Sequence, residues 1–214
     1  MKSCLIFSAG DYPDEFPNIS FDYCIAADAG LKYAEHFGVR PDLILGDFDS
    51  LGFVPEGKNV EACSPIKDDT DTALAVRQAL CEDCDTIYII GSLGGRLDHS
   101  IANIQLMNDL ASRGTQCYLI GRDCIMTAAS GEALCFARGF RGVISVFAMS
   151  DGVRNVTIKG LKYELTEAKL SPYLPLGVSN EFLDKSGQIE VKNGVLTIFW
   201  EKQREFILPE RKKL

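Results

Sequence analysis

Thr86-Ile87-Tyr88-Ile89-Ile90-Gly91-Ser92-Leu93-Gly94-Gly95-Arg96-Leu97-Asp98-His99 is the stretch on which the fold turns. Five residues dominated by β-branched and aromatic side chains stop at a glycine; helical spacing then covers residues 97–111, and 117–120 reads as strand again. An unbroken apolar run suits a strand buried on both faces, which is the environment of a parallel sheet covered by helices. Working outward, residues 4–7, 23–27 and 43–45 give the same kind of run, a further strand is read around 60–63, and helical spacing covers 29–37 and 70–81. Leu74, Ala75, Gln78 and Ala79 form a partly apolar helical face, and Thr70 or Asp71 is placed to cap it. Alternation of strand and helix predicts an α/β fold with an N-terminal, open, mainly parallel sheet flanked by helices.

After Asp123 the texture changes to short strand-like runs at 133–136, 143–148, 156–159, 161–165, 188–191 and 195–200, with no long helical pattern. The reading is a smaller C-terminal all-β sandwich, with domains at 1–122 and 123–214. Asn193-Gly194 between two β-type runs predicts a hairpin. The basic ending Arg211-Lys212-Lys213 reads as a solvated tail.

Composition limits the function classes. Of 214 residues, 46% are hydrophobic and 24% charged, so the chain has the make-up of an ordinary folded domain pair. The formal net charge of −8 offers no basic footprint for nucleic acid. No apolar run approaches the about 18 residues of a membrane span, and the start lacks the apolar region of a secretory signal; a cytoplasmic protein is expected. The eight cysteines sit mostly in apolar runs, as reduced thiols do. Cys81 and Cys84 form a C-x-x-C at the end of a helical pattern, the wrong end for a redox pair.

Three acidic or glycine-rich segments each follow a predicted strand: Asp28, the pair Asp47 and Asp49, and the run 91–98. In a parallel sheet the carboxyl ends of the strands share one edge, where ligands bind, so these segments converge. Asp71 adds a carboxylate at the start of a helix. Like charges about 4 Å apart repel by about 4 kcal/mol at an effective dielectric near 20, so the cluster calls for a cation. Carboxylate oxygens without a Cys/His set suit Mg²⁺, whose shell is commonly completed by phosphate. Gly94-Gly95-Arg96 supplies backbone freedom and a planar cationic fork for phosphate oxygens.

These residues resemble the thiamine pyrophosphokinase family. Ala27-Asp28-Ala29-Gly30 and the run from Pro41 to Ser50, with Gly46-Asp47-Phe48-Asp49, look like its opening motifs. Lys67-Asp68-Asp69-Thr70-Asp71 is similar to its K/Q-D-x-T-D segment, and Gly94-Gly95-Arg96-Leu97-Asp98-His99 with Asn103 to its G-G-R-x-D-H-x-x-x-N segment. Farther on, Gly160-Leu161-Lys162-Tyr163-Glu164-Leu165 and Gly177-Val178-Ser179-Asn180-Glu181 resemble G-L-x-Y-x-L and G-x-S-N-E. Ala29 departs from the pattern where a second glycine is common, and Lys67 stands where some members have Gln.

The resemblance implies transfer of a diphosphoryl group from ATP to the hydroxyl of thiamine, giving thiamine diphosphate and AMP. It implies Asp47, Asp49 and Asp71 around Mg²⁺, with Asp28 and Asp68 beside the metal and phosphates. Arg96, Asp98 and His99 go to the nucleotide side, together with the segments carrying Thr70, Gly94, Gly95 and Asn103. Asp71 is the first candidate for accepting the thiamine proton and Asp98 the second. Ser179 and Asn180 are expected on the aminopyrimidine, Lys67 is open to a thiamine contact, a phosphate contact or neither, and Trp200 or Phe182 offers a ring for the thiazolium, although Trp200 also ends an apolar strand. A homodimer with a site shared between subunits is implied. The competing readings are a diphosphokinase for another alcohol, such as a hydroxymethylpterin, and a non-catalytic sensor of thiamine or nucleotide.

Overall fold

The computed structural model describes residues 2–64 and 69–214. Two compact units divide the chain: residues 1–106 with 115–122, and residues 107–114 with 123–214. The first is a parallel sheet with helices. In chain order it contains β1 (Ser3–Phe7), β2 (Tyr23–Ala27), α1 (Gly30–His36), β3 (Leu43–Gly46), β4 (Val60–Ala62), α2 (Asp71–Cys81), β5 (Thr86–Ile90), α3 (Leu97–Ser112) and β6 (Gln116–Ile120). The last turns of α3 cluster with the second unit.

The strand order in the first unit is β6-β5-β1-β2-β3-β4, and every neighbouring pair is parallel. The chain moves outward from β1 through β2, β3 and β4, then α2 carries it back across to β5 on the other side of β1. The β1/β5 boundary is therefore a topological switch point, the place in such sheets where a ligand crevice opens at the carboxyl ends. Leu5, Ile6, Ile25, Ile87 and Ile89 are fully buried, as strands covered on both faces require. Thr70 starts α2 by accepting the Ala73 N–H on its Oγ1 at 3.1 Å, which satisfies one of the free amides of the first turn.

The second unit holds β7 (Cys124–Ala129), β8 (Glu132–Phe136), β9 (Val143–Ala148), β10 (Arg154–Lys159), β11 (Leu165–Ala168), β12 (Gly177–Glu181), β13 (Gly187–Asn193), β14 (Leu196–Glu201) and β15 (Glu210–Lys213). One antiparallel set runs β12-β9-β14-β7 and the other β11-β10-β13-β8-β15. The two sets face each other through aromatic side chains: Phe136 of β8 meets the fully buried Trp200 of β14 at 5.8 Å between ring centroids. That place in the core excludes Trp200 as a ring for thiazolium. Phe182 is packed against Phe136 and Phe140 at 5.2 and 5.3 Å.

Four expectations are corrected. Asn193-Gly194 is not a hairpin turn, because β13 pairs with β10 and β8 whereas β14 pairs with β7 and β9. The turn carries the chain from one sheet to the other, and Gly194, at φ +80°, sits where a Cβ would press on the Val153 backbone. Residues 161–165 are not a strand: Leu161 forms an isolated bridge to Phe182, and pairing with β10 begins only at Leu165. Residues 211–213 are not a loose tail but the body of β15 against β8. Finally, β7 and β12 are strands beyond those expected, β12 lying within the G-x-S-N-E segment.

Candidate active site

The carboxyl ends of β1, β2, β3 and β5 and the starts of α2 and α3 enclose a cleft of about 470 Å³. Asp28 follows β2 and Asp47 follows β3. Gly46 lets the two chain segments approach, since a Cβ there would stand 3.1 Å from Asp28 Cα. Between Asp47 and Asp49, Phe48 is 2% exposed and packs with Ala26, Leu31, Ile44 and Leu51. Phe48 adopts φ +61°, so a buried aromatic anchor in a left-handed backbone holds the two flanking carboxylates at the rim.

Asp28, Asp47 and Asp49 each offer a carboxylate oxygen within 4.8 Å of the others. Asp28 is 6% exposed, has φ +47°, and its Oδ1 has no hydrogen-bond partner among the described residues. A buried carboxylate oxygen without a donor is unfavourable by itself, and two neighbouring carboxylates worsen it. A hard divalent cation satisfies all three groups, so this donor set fits Mg²⁺. Asp71 lines the same cleft at the start of α2 and lies outside the trio.

The phosphate-side residues divide. Thr70, Gly94, Arg96, His99 and Asn103 line the cleft, together with Ser92. Asn103 is 5% exposed and donates from Nδ2 to the Ser92 carbonyl at 2.8 Å, so it holds the glycine-rich turn in place. Gly95 and Asp98 are not among the lining residues. Asp98 instead accepts two bonds from Arg96, at 2.5 and 3.2 Å, on the exposed surface. The Arg96 guanidinium holds the Asp98 carboxyl below the usual carboxylate range. Lys67 and Asp68 lie outside the described residues.

Ser8, Ala9 and Gly10, directly after β1, line the cleft and were not anticipated, and neither was Asp69, which pairs with Arg77 of α2 at 2.5 Å. The signal for 8–10 was present: the segment follows a strand, like the other three, but carries no acidic or glycine-repeat pattern until Gly10-Asp11.

Ser179 and Asn180 belong to the second unit, on β12. Ser179 is exposed at φ +59°, at an irregularity in the β12/β9 pairing, and its backbone N–H donates to Ser145 Oγ at 3.0 Å. Asn180 is 6% exposed; its Oδ1 accepts from the Tyr163 and Glu181 N–H groups and its Nδ2 donates to the Tyr163 carbonyl at 2.7 Å. The Asn180 amide therefore clasps the Tyr163 backbone. Tyr163 is 58% exposed beside the Lys162–Glu181 ion pair.

Comparison with known proteins bears on the family and the fold. Residues 18–119 match the thiamin pyrophosphokinase catalytic domain and residues 136–196 match the thiamin pyrophosphokinase vitamin B1 binding domain. The thiamine pyrophosphokinase of Bacillus subtilis is 30% identical over 180 residues, covering 80% of this chain and 84% of the relative. Thiamin pyrophosphokinase 1 of Caenorhabditis elegans is 26% identical over 193 residues, covering 83% and 77%. The crystal structure of the Bacillus subtilis thiamine pyrophosphokinase shares the fold, with a TM-score of 0.78 at 24% identity over 93% of this chain and 98% of that one. These matches, which together span most of the sequence, show that this chain belongs to the thiamine pyrophosphokinase family.

Proposed function

We propose that the protein transfers the diphosphoryl group of ATP to the hydroxyl of thiamine, yielding thiamine diphosphate and AMP. The observation that carries this reading is the donorless buried Oδ1 of Asp28 beside Asp47 and Asp49, in a cleft otherwise lined by hydroxyls, glycines and Arg96. Such a lining suits a polyphosphate chain brought in with a divalent cation.

Asp28, Asp47 and Asp49 would hold Mg²⁺, which when bound would offset the negative charge of the phosphate chain. Arg96 reaches phosphate oxygens, and the first turn of α3 adds the favourable end of a helix dipole for an anion. Binding ATP requires Arg96 to share or release Asp98, so the exposed pair acts as a ready cation kept in register. The thiamine hydroxyl oxygen attacks the β-phosphorus, the bond from that phosphorus to the α–β bridging oxygen breaks, and AMP leaves with the bond's electron pair. Asp71, at the cleft, accepts the hydroxyl proton; Asp98, held by Arg96 outside the lining, does not. Rate enhancement comes mainly from holding acceptor and donor in line.

Ser179 contacts the aminopyrimidine, and Asn180 acts by fixing the Tyr163 loop. Homodimerisation is supported by large apolar side chains exposed around β12: Tyr173 at 86%, Leu174 at 61% and Leu176 at 58%. No described helix is long and apolar enough to cross a membrane.

The test is product analysis by chromatography and mass with ATP and Mg²⁺, offering thiamine and hydroxymethylpterin as parallel acceptors. Thiamine diphosphate is expected in step with AMP. Product from the pterin alone, or none from either acceptor, overturns the assignment.

A further inference from the structure

The β1/β5 switch point should be open. Beyond it the chain leaves β1 toward β2 and leaves β5 toward β6, in opposite directions along the sheet, so the two connecting turns ordinarily part and leave a crevice between them. Here they are joined. The Ser8 N–H donates to the Ile90 carbonyl at 2.9 Å, Gly10 to Gly91 at 2.7 Å, and Asp11 to Leu93 at 2.8 Å, so the parallel ladder continues past the strand ends into the turns. Gly10 and Gly91 permit this approach, since a Cβ on Gly10 would stand 2.6 Å from two carbonyl oxygens and one on Gly91 would collide with the Tyr12 ring.

Tyr12 sits behind this seam. It is 6% exposed and is not a lining residue of the cleft. Its hydroxyl donates to the Ser8 carbonyl, its ring fills the space under Gly91, and it stacks on Tyr33 of α1 with centroids 3.5 Å apart and planes 9° apart. Its own carbonyl accepts from Arg122 Nε at 3.4 Å, just after β6. Burial pushes the phenol well above its usual range, so the hydroxyl stays protonated as a donor. Ser8 in turn meets Thr72 of α2 through paired hydroxyls at 2.7 Å, one residue beyond Asp71. One buried side chain thus ties together the turn after β1, the glycine-rich turn after β5 and α1, and reaches the start of α2 through Ser8.

We infer that Tyr12 is a positioning residue for the nucleotide: it holds turn 8–11 against turn 91–95 and so sets the spacing of the cleft floor on which the phosphate chain rests. Tyr12 touches no substrate; it acts through Ser8, Gly10 and Gly91, which line the cleft. This rests on the ATP reading above.

Tyr12→Phe keeps the ring and removes only the hydroxyl's bond. The expected result is a KM for ATP raised about two- to tenfold, the scale of one hydrogen bond, with the KM for thiamine unchanged. Amide exchange at Gly10 and Asp11 should quicken as well. Phe16→Leu is the control for general loosening, because Phe16 packs in the same aromatic cluster against Phe7 and Phe37 without touching either turn's backbone bonds. It should lower Tm and leave the ATP KM alone. A wild-type ATP KM and wild-type exchange in Tyr12→Phe overturn the inference, as does a rise in both KM values matched by Phe16→Leu at equal loss of Tm. The exchange measurement needs no turnover. If the wild-type protein forms no thiamine diphosphate, the assigned activity fails, while the exchange rates still uphold or overturn the clamp.

Discussion

Asp28 carries a cost that a bound cation relieves. Its Oδ1 is buried without a partner among the described residues and lies near Asp47 and Asp49, so removing its charge should stabilise the metal-free protein. Asp28→Asn is expected to melt above wild type in chelator. Added Mg²⁺ should raise the wild-type Tm and leave the variant's almost unmoved, because stabilisation follows the binding that the variant lacks. Turnover in the variant should fall at least about a hundredfold, on the scale of losing one electrostatic contact to the transferred group. A variant that melts below wild type in chelator and still responds to Mg²⁺ would remove Asp28 from the metal set. Ser179 belongs at the same scale: Ser179→Ala should raise the KM for thiamine more than that for ATP, measured in the same assay, and equal changes would remove its contact. The residue patterns made Asp28, Asp47 and Asp49 legible as a rim cluster. They did not reveal that Phe48 is the anchor that splays the pair, because a left-handed aromatic has no sequence signature.

Elements were legible where their reason is local. The α2 start follows from Thr70, and the β5 end from Gly91. The link from β13 to β14 misled because Asn-Gly supplies a left-handed turn whatever the flanking strands do next, and only tertiary packing decides whether they pair or part into separate sheets. The β15 strand was hidden because its sequence, Glu210-Arg211-Lys212-Lys213, carries no apolar alternation. Besides its backbone pairing with β8, one side chain anchors it. The Arg211 side chain is 6% exposed, pairs with Glu132 at 2.5 Å, and donates to Thr127 Oγ1 and the Ala128 carbonyl, joining β15 to β7 in the opposite sheet. Arg211→Ala leaves the Glu132 carboxylate, 15% exposed, without that partner and should destabilise the second unit by about 3–5 kcal/mol. The single tryptophan, Trp200, lies in that unit's core and reports its unfolding in urea. A loss under about 1 kcal/mol would mean that β15 is an ornament on the sandwich.

At the scale of the whole molecule, a parallel sheet supplies a rim on which residues distant in sequence meet, and the β1/β5 switch point says where on that rim. This is why Asp28, Asp47, Asp71 and Arg96 were readable together from strand ends alone, and why Ser8 and Gly10, on the same rim but chemically plain, were not. The thiamine side was less legible. Asn180 has the right chemistry for a pyrimidine, and its amide also clasps the Tyr163 backbone, a use that depends on where the chain folds back. Movement of two phosphates as a unit in one cleft is the step that defines the proposed reaction. It is tested most directly by supplying ATP labelled at the γ-phosphorus in one reaction and at the α-phosphorus in another, with Mg²⁺ and thiamine. The expected outcome is γ-label in thiamine diphosphate and α-label in AMP alone. Label from the γ position in thiamine monophosphate, with ADP as the other product, would contradict it.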